Sequence, residues 1–458
     1  MMPENSSYPA NGALTEAGQS DRIRYFWIVV LLGIHAPLGY LMRISFVVAT
    51  VHALIILALG LWFILRDKQP FRLIYLTGYI AGADVLWRMT KAVVFWEFGK
   101  YLICLLFILG MLKWRGQRQF LPLLYIILLL PAVFFTVSSR SLLESRLDIS
   151  MNLSGPITLA IAALFFSGVN LGRKEILRLM FYTIMPITGV AFLAFFKTYT
   201  VSDITFTFSS NAITSGGFGP NQVSAILGLG ALLCWLFIIS QDKFTTVCWI
   251  MSGLMVWFLA QAILTFSRGG VYNFMLAAPL ATLYLMRKRQ KVLSILVFSA
   301  VIVSIFVFLV IPKMERFTGG MLGARFGDTG TTDRWELIKL DLKLWEKNFL
   351  FGVGPGVSSS ARFQTDRPDM VTSSGAHMAA HTEYSRLLAE HGLLGLMALL
   401  LLGLMFLQAF RRAPTPYAKG LTLAFMVWAL AEMAHAAMRV AAISFLFALP
   451  LAKFEDKD

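Results

Sequence analysis

The chain has 458 residues, of which 57% are hydrophobic and 14% charged, with a mean hydropathy of +0.70. Soluble domains carry about a quarter charged residues, so the composition excludes an ordinary globular protein and points to an all-α polytopic membrane protein. The net charge of +15 would suggest nucleic acid in a soluble protein; here it reads as cytoplasmic anchoring charge plus a basic extracytoplasmic surface, with no nucleic acid partner. Cys104, Cys234 and Cys248 all fall in apolar runs without a CxxC pair, which excludes a disulfide framework.

Residues 1–24 are polar and rich in Ser, Asn and Gly. They lack a cationic stretch leading directly into an apolar one with a small-residue cleavage site, so a short disordered cytoplasmic tail is expected. Apolar runs then occupy 25–41, 46–65, 72–87, 92–113, 120–137, 155–171, 176–196, 221–239, 244–265, 270–286 and 292–312. Three more, at 391–410, 419–437 and 440–452, precede a short tail at 453–458. A span needs about 20 residues, so the sequence predicts about 14 transmembrane helices, with 12 as the alternative because 72–87 and 440–452 are short. This divides the chain into N-terminal membrane helices over 25–312, one large periplasmic loop over 313–390, and C-terminal helices over 391–452.

Orientation follows from the basic residues. Taken alternately, one set of short loops holds seventeen Lys and Arg, including Arg66, Arg115, Lys174, Lys288 and Arg412; the other holds eight, including Arg43, Arg88, Arg268 and Arg439. Cytoplasmic loops carry the excess, which puts both termini inside and 313–390 outside. That segment is too small and polar to stand alone and must lean on the membrane helices. Within it, Asp333 with Glu336 three residues later resembles a capping box. Trp335, Ile338, Leu342 and Trp345 then share one face, predicting an amphipathic helix against the membrane surface. The helix is expected to stop at Asn348, before the turn-rich Gly352-Val353-Gly354-Pro355-Gly356, and 357–378 reads as irregular loop.

The candidate chemistry lies in and around this half. Arg268 sits in Ser267-Arg268-Gly269-Gly270, in a tight hairpin whose glycines let a ligand approach closely. Asn221, after Pro220, is placed to cap the next helix. From Ala379 the chain reads as a helix with His381, Tyr384, Ser385 and Leu388 on one face, and Glu390 within reach of Arg386. Gly392 and Gly395 then open an apolar run.

His381-Thr382, nine positions, then Gly392-x-x-Gly395 resembles the signature of the bacterial O-antigen ligase and polymerase family. The family more often has Asn, Ser or Gln where this chain has Thr382. Pro220-Asn221, Ser267-Arg268-Gly269, Arg334-Trp335 and Gly352-x-Gly354-x-Gly356 are similar to other family motifs and stand in the same order. Phe349-Leu350-Phe351 departs from it, since a Pro often precedes the Gly-x-Gly. The likeness covers about residues 216–395; the first half matches only as a hydropathy profile.

The resemblance implies a GT-C-like membrane glycosyltransferase of the bacterial inner membrane, with its active site facing the periplasm. It would take a glycan from undecaprenyl diphosphate and transfer it to a sugar hydroxyl: of lipid A-core in a ligase, or of a lipid-linked glycan in a polymerase. Arg268 and Arg334 would hold the diphosphate and His381 would face the acceptor, with Asn221, Arg325, Gly354, His377 and Tyr384 contributing to substrate binding. The residue types suit the reaction. Fixed cations stabilise a leaving diphosphate, guanidinium gives it a planar fork, and a neutral His can take the acceptor's proton. His377 is the rival to His381 as base. His391 reads as structural or interfacial, and His435 with Glu432, on one turn of a late span, reads as buried pairing. No cofactor is implied, and metal is not expected. HExxH and DxD are absent, Met42–Ser45 holds no carboxylate, and His377 and His381 at i, i+4 lack a nearby third ligand. The competing class is a transporter or flippase of a lipid-linked glycan, which calls for inverted repeats and mid-membrane charges. No repeat is visible, and the i, i+3 spacing of Glu97 and Lys100 allows simple pairing.

Overall fold

In the computed structural model, which describes residues 26–241, 244–285, 289–327, 332–365 and 382–455, every one of the fourteen apolar runs is helical. The helices are α1 (Phe26–Ile44), α2 (Phe46–Arg66), α3 (Phe71–Met89), α4 (Phe98–Lys113), α5 (Leu121–Ser139), α6 (Leu142–Phe166) and α7 (Arg173–Thr200). They continue as α8 (Pro220–Ser240), α9 (Thr246–Leu264), α10 (Gly269–Leu285) and α11 (Ile295–Phe317). The outer segment adds α12 (Met321–Gly327), α13 (Thr332–Lys347) and α14 (Ser358–Thr365), and the chain closes with α15 (Glu383–Arg412), α16 (Pro416–Ala436) and α17 (Ala441–Leu451). Among the described residues nine of these are long and apolar enough to cross a membrane: α1, α2, α5, α6, α7, α8, α9, α11 and α15. The protein is an all-α polytopic membrane protein. Its only described strands are β1 (Asn170–Gly172) and β2 (Lys453–Glu455), paired in parallel. The end of the chain, expected as a tail from 453, is thus tied by backbone hydrogen bonds to the residues that open α7.

Local chemistry sets the helix ends. Ser45 alone, with extended backbone, separates α1 from α2, so the expected outer loop at Met42–Ser45 shrinks to one residue. Ser141 and Glu144 form a reciprocal capping box at the start of α6. Asn221 does not cap α8. Pro220 lacks an N–H and has its φ fixed for the first helical turn, so Gly219 takes the cap position and Asn221 falls inside the helix.

Helices α1, α2 and α3 are pinned by a directional chain of hydrogen bonds. Trp87 Nε1, a donor only, gives its hydrogen to His52 Nδ1 at 2.9 Å. His52 Nε2 must then carry a proton, which it donates to Tyr79 Oη at 2.9 Å. His35 Nδ1 donates to Leu31 O at 2.7 Å, leaving Nε2 to accept from Tyr79 Oη at 3.1 Å. Two of the six histidines are consumed in this way, far from any chemistry.

The outer segment does lean on the membrane helices, through contacts that adjacent spacing does not announce. Helix α13 forms, but its buried face is Leu337, Leu340, Asp341 and Leu344, packed toward α15. Of the face expected to be apolar, Trp335 is 55% exposed and Ile338, Leu342 and Trp345 are half-buried. Asp341 accepts from Arg362 Nε at 2.7 Å and from Ser385 Oγ at 2.7 Å, joining α13, α14 and α15 in one buried polar knot. Ser358–Thr365 is therefore helical, where irregular loop was expected: its register carries Arg362 to Asp341 and Ser358 Oγ to Glu390, 2.8 Å away.

Two glycines then interlock. Helix α15 kinks at Gly392 (φ 62°), which frees the carbonyls of Ala389 and Glu390; Val353 N and Gly354 N donate to them, each at 3.0 Å. Leu393 N donates to Phe349 O at 2.7 Å. Gly352 (φ 69°) lies directly on the Glu390 peptide, and a Cβ at Gly392 would come within 2.6 Å of Phe349 O. Both positions need positive φ and have no room for a side chain, which explains the pairing of a Gly-x-Gly loop with a distant Gly in the sequence.

Candidate functional site

One end of the bundle gathers the chemistry. Helix α9 gives way at Phe266 (φ 57°), and α10 begins at Gly269. The turn between them presents Arg268. Its glycines do not open space for a ligand as expected. Gly270 lies against the Ser224 backbone of α8, and Gly269 carries the imidazole of His435 from α16 on its face. Close helix crossing takes up the room that the missing side chains leave. Ser224 Oγ donates to Ser267 O at 2.8 Å and accepts from Gly270 N at 3.2 Å, while Ser267 Oγ donates to Asn221 Oδ1 at 2.8 Å. Asn221 thus fixes the turn that holds Arg268.

Two further arginines converge on the same place from the outer segment. Arg325 Nε donates to Phe266 O at 3.1 Å, locking α12 onto the turn. Arg334, at the start of α13, donates through Nη1 to His435 Nδ1 at 2.6 Å. Because guanidinium only donates, His435 must accept there and is a neutral imidazole. Burial first, then the nearby guanidiniums of Arg268 and Arg325, hold the pKa of Arg334 below the ordinary arginine value. Arginine stays charged even so. The site therefore brings three guanidiniums close enough for Arg334 to feel the charge of the other two.

Among the described residues, a buried acid faces these cations. Glu432, 1% exposed, accepts a short hydrogen bond from Asn273 through Oε2, while its Oε1 makes no hydrogen bond among the described residues. Glu432 and His435 were expected to pair within α16; instead each is engaged by another element, Asn273 of α10 and Arg334 of α13 respectively. The i, i+3 spacing in sequence put them on one face but could not reveal what stood opposite.

The remaining sequence candidates divide. Thr382 caps α15, accepting from Tyr384 N at 3.2 Å, and Tyr384 Oη donates to Leu430 O at 2.8 Å, which fastens the start of α15 to α16. Gly354 is held between Glu390 O and the Thr136 side chain of α5, inside the interlock rather than in the arginine cluster. His391 is fully buried, in line with the structural reading. His377 and His381 lie outside the described residues. Among the described residues there is no group of three or more His, Cys, Asp or Glu placed to hold a metal ion.

Sequence reasoning found one pair in each of the two ion clusters that support this end and missed their other members. Arg386 bridges Glu383 and Glu390, the latter at 2.9 Å as the spacing predicted. Arg88 bridges Asp84 at 3.1 Å and Glu97 at 3.5 Å, and Glu97 in turn binds Lys100 at 2.6 Å. The clue in the sequence was a set of charges inside apolar runs, where such residues must find partners. No curated protein matches the chain. A family model described as O-antigen ligase matches residues 253–400, from late α9 to the middle of α15, a stretch that includes Arg268, Arg325, Arg334 and the glycine interlock. The match supports the O-antigen ligase and polymerase family that the sequence motifs resemble.

Proposed function

We propose that the protein is a metal-independent glycosyltransferase of GT-C-like architecture, with both termini cytoplasmic and residues 313–390 on the periplasmic side of the bacterial inner membrane. Its donor is a glycan on undecaprenyl diphosphate; its acceptor is a sugar hydroxyl of lipid A-core or of a lipid-linked glycan. The observation that carries this reading is the convergence of Arg268, Arg325 and Arg334, from three separate elements, on one end of the bundle. Cations brought together against their mutual repulsion suit a diphosphate better than a neutral sugar.

In this scheme the acceptor oxygen attacks the anomeric carbon of the donor as the bond from that carbon to the diphosphate oxygen breaks. Arg268 and Arg334 neutralise the charge that develops on the departing undecaprenyl diphosphate, in a site where fixed cations need no reorganisation. His381 takes the acceptor's proton, with Arg325, Asn221, Tyr384 and His377 shaping the substrate site. Thr382, the residue after His381, caps a helix fastened to α16 beside the cluster, which supports this role.

The test is transfer by purified protein given lipid-linked glycan, with lipid A-core and glycan-lipid acceptors offered separately. His381→Ala is expected to lose transfer, by about 10²–10⁴-fold, while still binding donor. Arg268→Ala and Arg334→Ala are expected to weaken donor binding itself, with Lys rescuing only in part. Wild-type turnover from a well-folded His381→Ala protein would end the assignment.

A further inference from the structure

Helices α16 and α17 follow one another with a break at residues 437–440, where Ala437 takes a positive φ of 54°. A break of this kind leaves backbone groups without helical partners. In a membrane protein it persists only where the surrounding protein satisfies them or where it lines a cavity. Here three such groups are met by buried charged side chains from two other helices. Met438 N donates to Glu383 Oε2 at 3.3 Å, Arg439 O accepts from Arg88 Nη1 at 3.0 Å, and Ala441 N donates to Asp84 Oδ2 at 3.0 Å. Asp84, Arg88 and Glu383 belong to the two ion clusters already described, both inside the bundle.

This is a costly way to hold four residues. Burying charges is expensive even when they are paired, and unbroken apolar helix would have needed none of them. The only side chain with reactive or charged chemistry between Ala437 and Val440 is that of Arg439. It follows His435, the partner of Arg334, by four residues, and the same Arg88 nitrogen that holds its carbonyl also reaches Gln222, next to Asn221 of the site, at 3.4 Å. Arg439 is also near enough to Arg334 for its charge to bear on that guanidinium.

We propose that Arg439 is a further residue binding the donor's diphosphate, and that Asp84, Arg88 and Glu383 are positioning residues that fix the helix break displaying it. The inference rests on the function proposed above and extends its anion site beyond the region matched by the family model, to a turn and a helix at either end of the chain.

Binding of undecaprenyl diphosphate without glycan, measured on the full chain in nanodiscs, tests it. Arg439→Ala is expected to bind about tenfold or more weakly, since hydrogen bonds to charged groups contribute about 1.5–3 kcal/mol, with Arg439→Lys recovering part of the loss. Asp84→Asn keeps an oxygen for Ala441 N but loosens Arg88, and is expected to weaken binding in the wild-type background and not in the Arg439→Ala background. A purely structural role for Asp84 predicts the same loss in both backgrounds and would overturn the positioning claim. Wild-type affinity in a folded Arg439→Ala protein would overturn the binding claim; should that variant not fold, Arg439→Gln, which keeps the stem and removes the charge, decides the question on the same readout. Failure of the wild-type protein to bind undecaprenyl diphosphate would refute the function proposed above instead.

Discussion

Asp341→Ala is the sharpest probe of how the outer segment is held. Asp341 is 1% exposed, and its two oxygens take a hydrogen bond each from Arg362 and Ser385, both buried. Removing it takes from the Arg362 guanidinium, which is 3% exposed, the carboxylate that its Nε donates to. Breaking a buried ion pair by deleting one partner costs about 3–5 kcal/mol, because the surviving charge is left uncompensated. That cost falls on the docking of α13 and α14 against α15 rather than on the membrane helices beneath. The amides of Val353 and Gly354, which donate to Ala389 and Glu390, report that docking. Their hydrogen-exchange protection is expected to fall by about 10²–10⁴-fold, the range that 3–5 kcal/mol corresponds to, while amides in the core of α8 keep theirs. The double variant Asp341→Leu/Arg362→Met should recover most of the protection, since an apolar replacement leaves no orphaned charge. Equal protection in wild type and Asp341→Ala, or a double variant no better than the single, would refute this reasoning.

Two further outcomes test the proposed reading. A cysteine placed at the exposed Glu346 of α13 should react with a membrane-impermeant thiol reagent from the periplasmic side; labelling from the cytoplasmic side only would invert the topology and remove the basis of the site. Transfer should survive EDTA, with arginines stabilising the leaving group; loss of activity that magnesium or manganese restores would show that a metal does this instead.

Hydropathy was enough to find the apolar helices, because a bilayer enforces length and apolarity on each segment independently of its neighbours. Pairs on a single helix were also legible: Arg386 with Glu390 and Glu97 with Lys100 follow from the i, i+4 and i, i+3 spacing. What spacing cannot carry is the identity of the opposing element. Asp341 read as one polar residue among several on an amphipathic helix, and only the fold brings Arg362 and Ser385 to it. On α13 Trp335 and Trp345 dominate the apolar pattern, while the face that packs on α15 is the one carrying Asp341. Arg268, Arg325, Arg334 and Asn221 are brought together by the fold. His435 joins them through Arg334 and the Gly269 surface, which no local pattern foretold.

The interlock of Gly352 with Gly392 has a consequence for exchanging parts between related proteins. A soluble loop between two spans is often treated as a cassette, to be swapped to move acceptor preference from one protein to another. Here the natural cut at the start of the apolar run would separate the two glycines, leaving a loop from one parent pressed against a kink from the other. Any side chain or shift in register at either site would collide with backbone, the least yielding neighbour available. A workable graft must carry the outer segment together with α15 at least through Gly395, whose own Cα lies against the Leu387 carbonyl. The α5 surface at Thr136, on which the Gly354-Pro355 turn rests, has to travel with it. The unit of inheritance is the loop with its membrane seat.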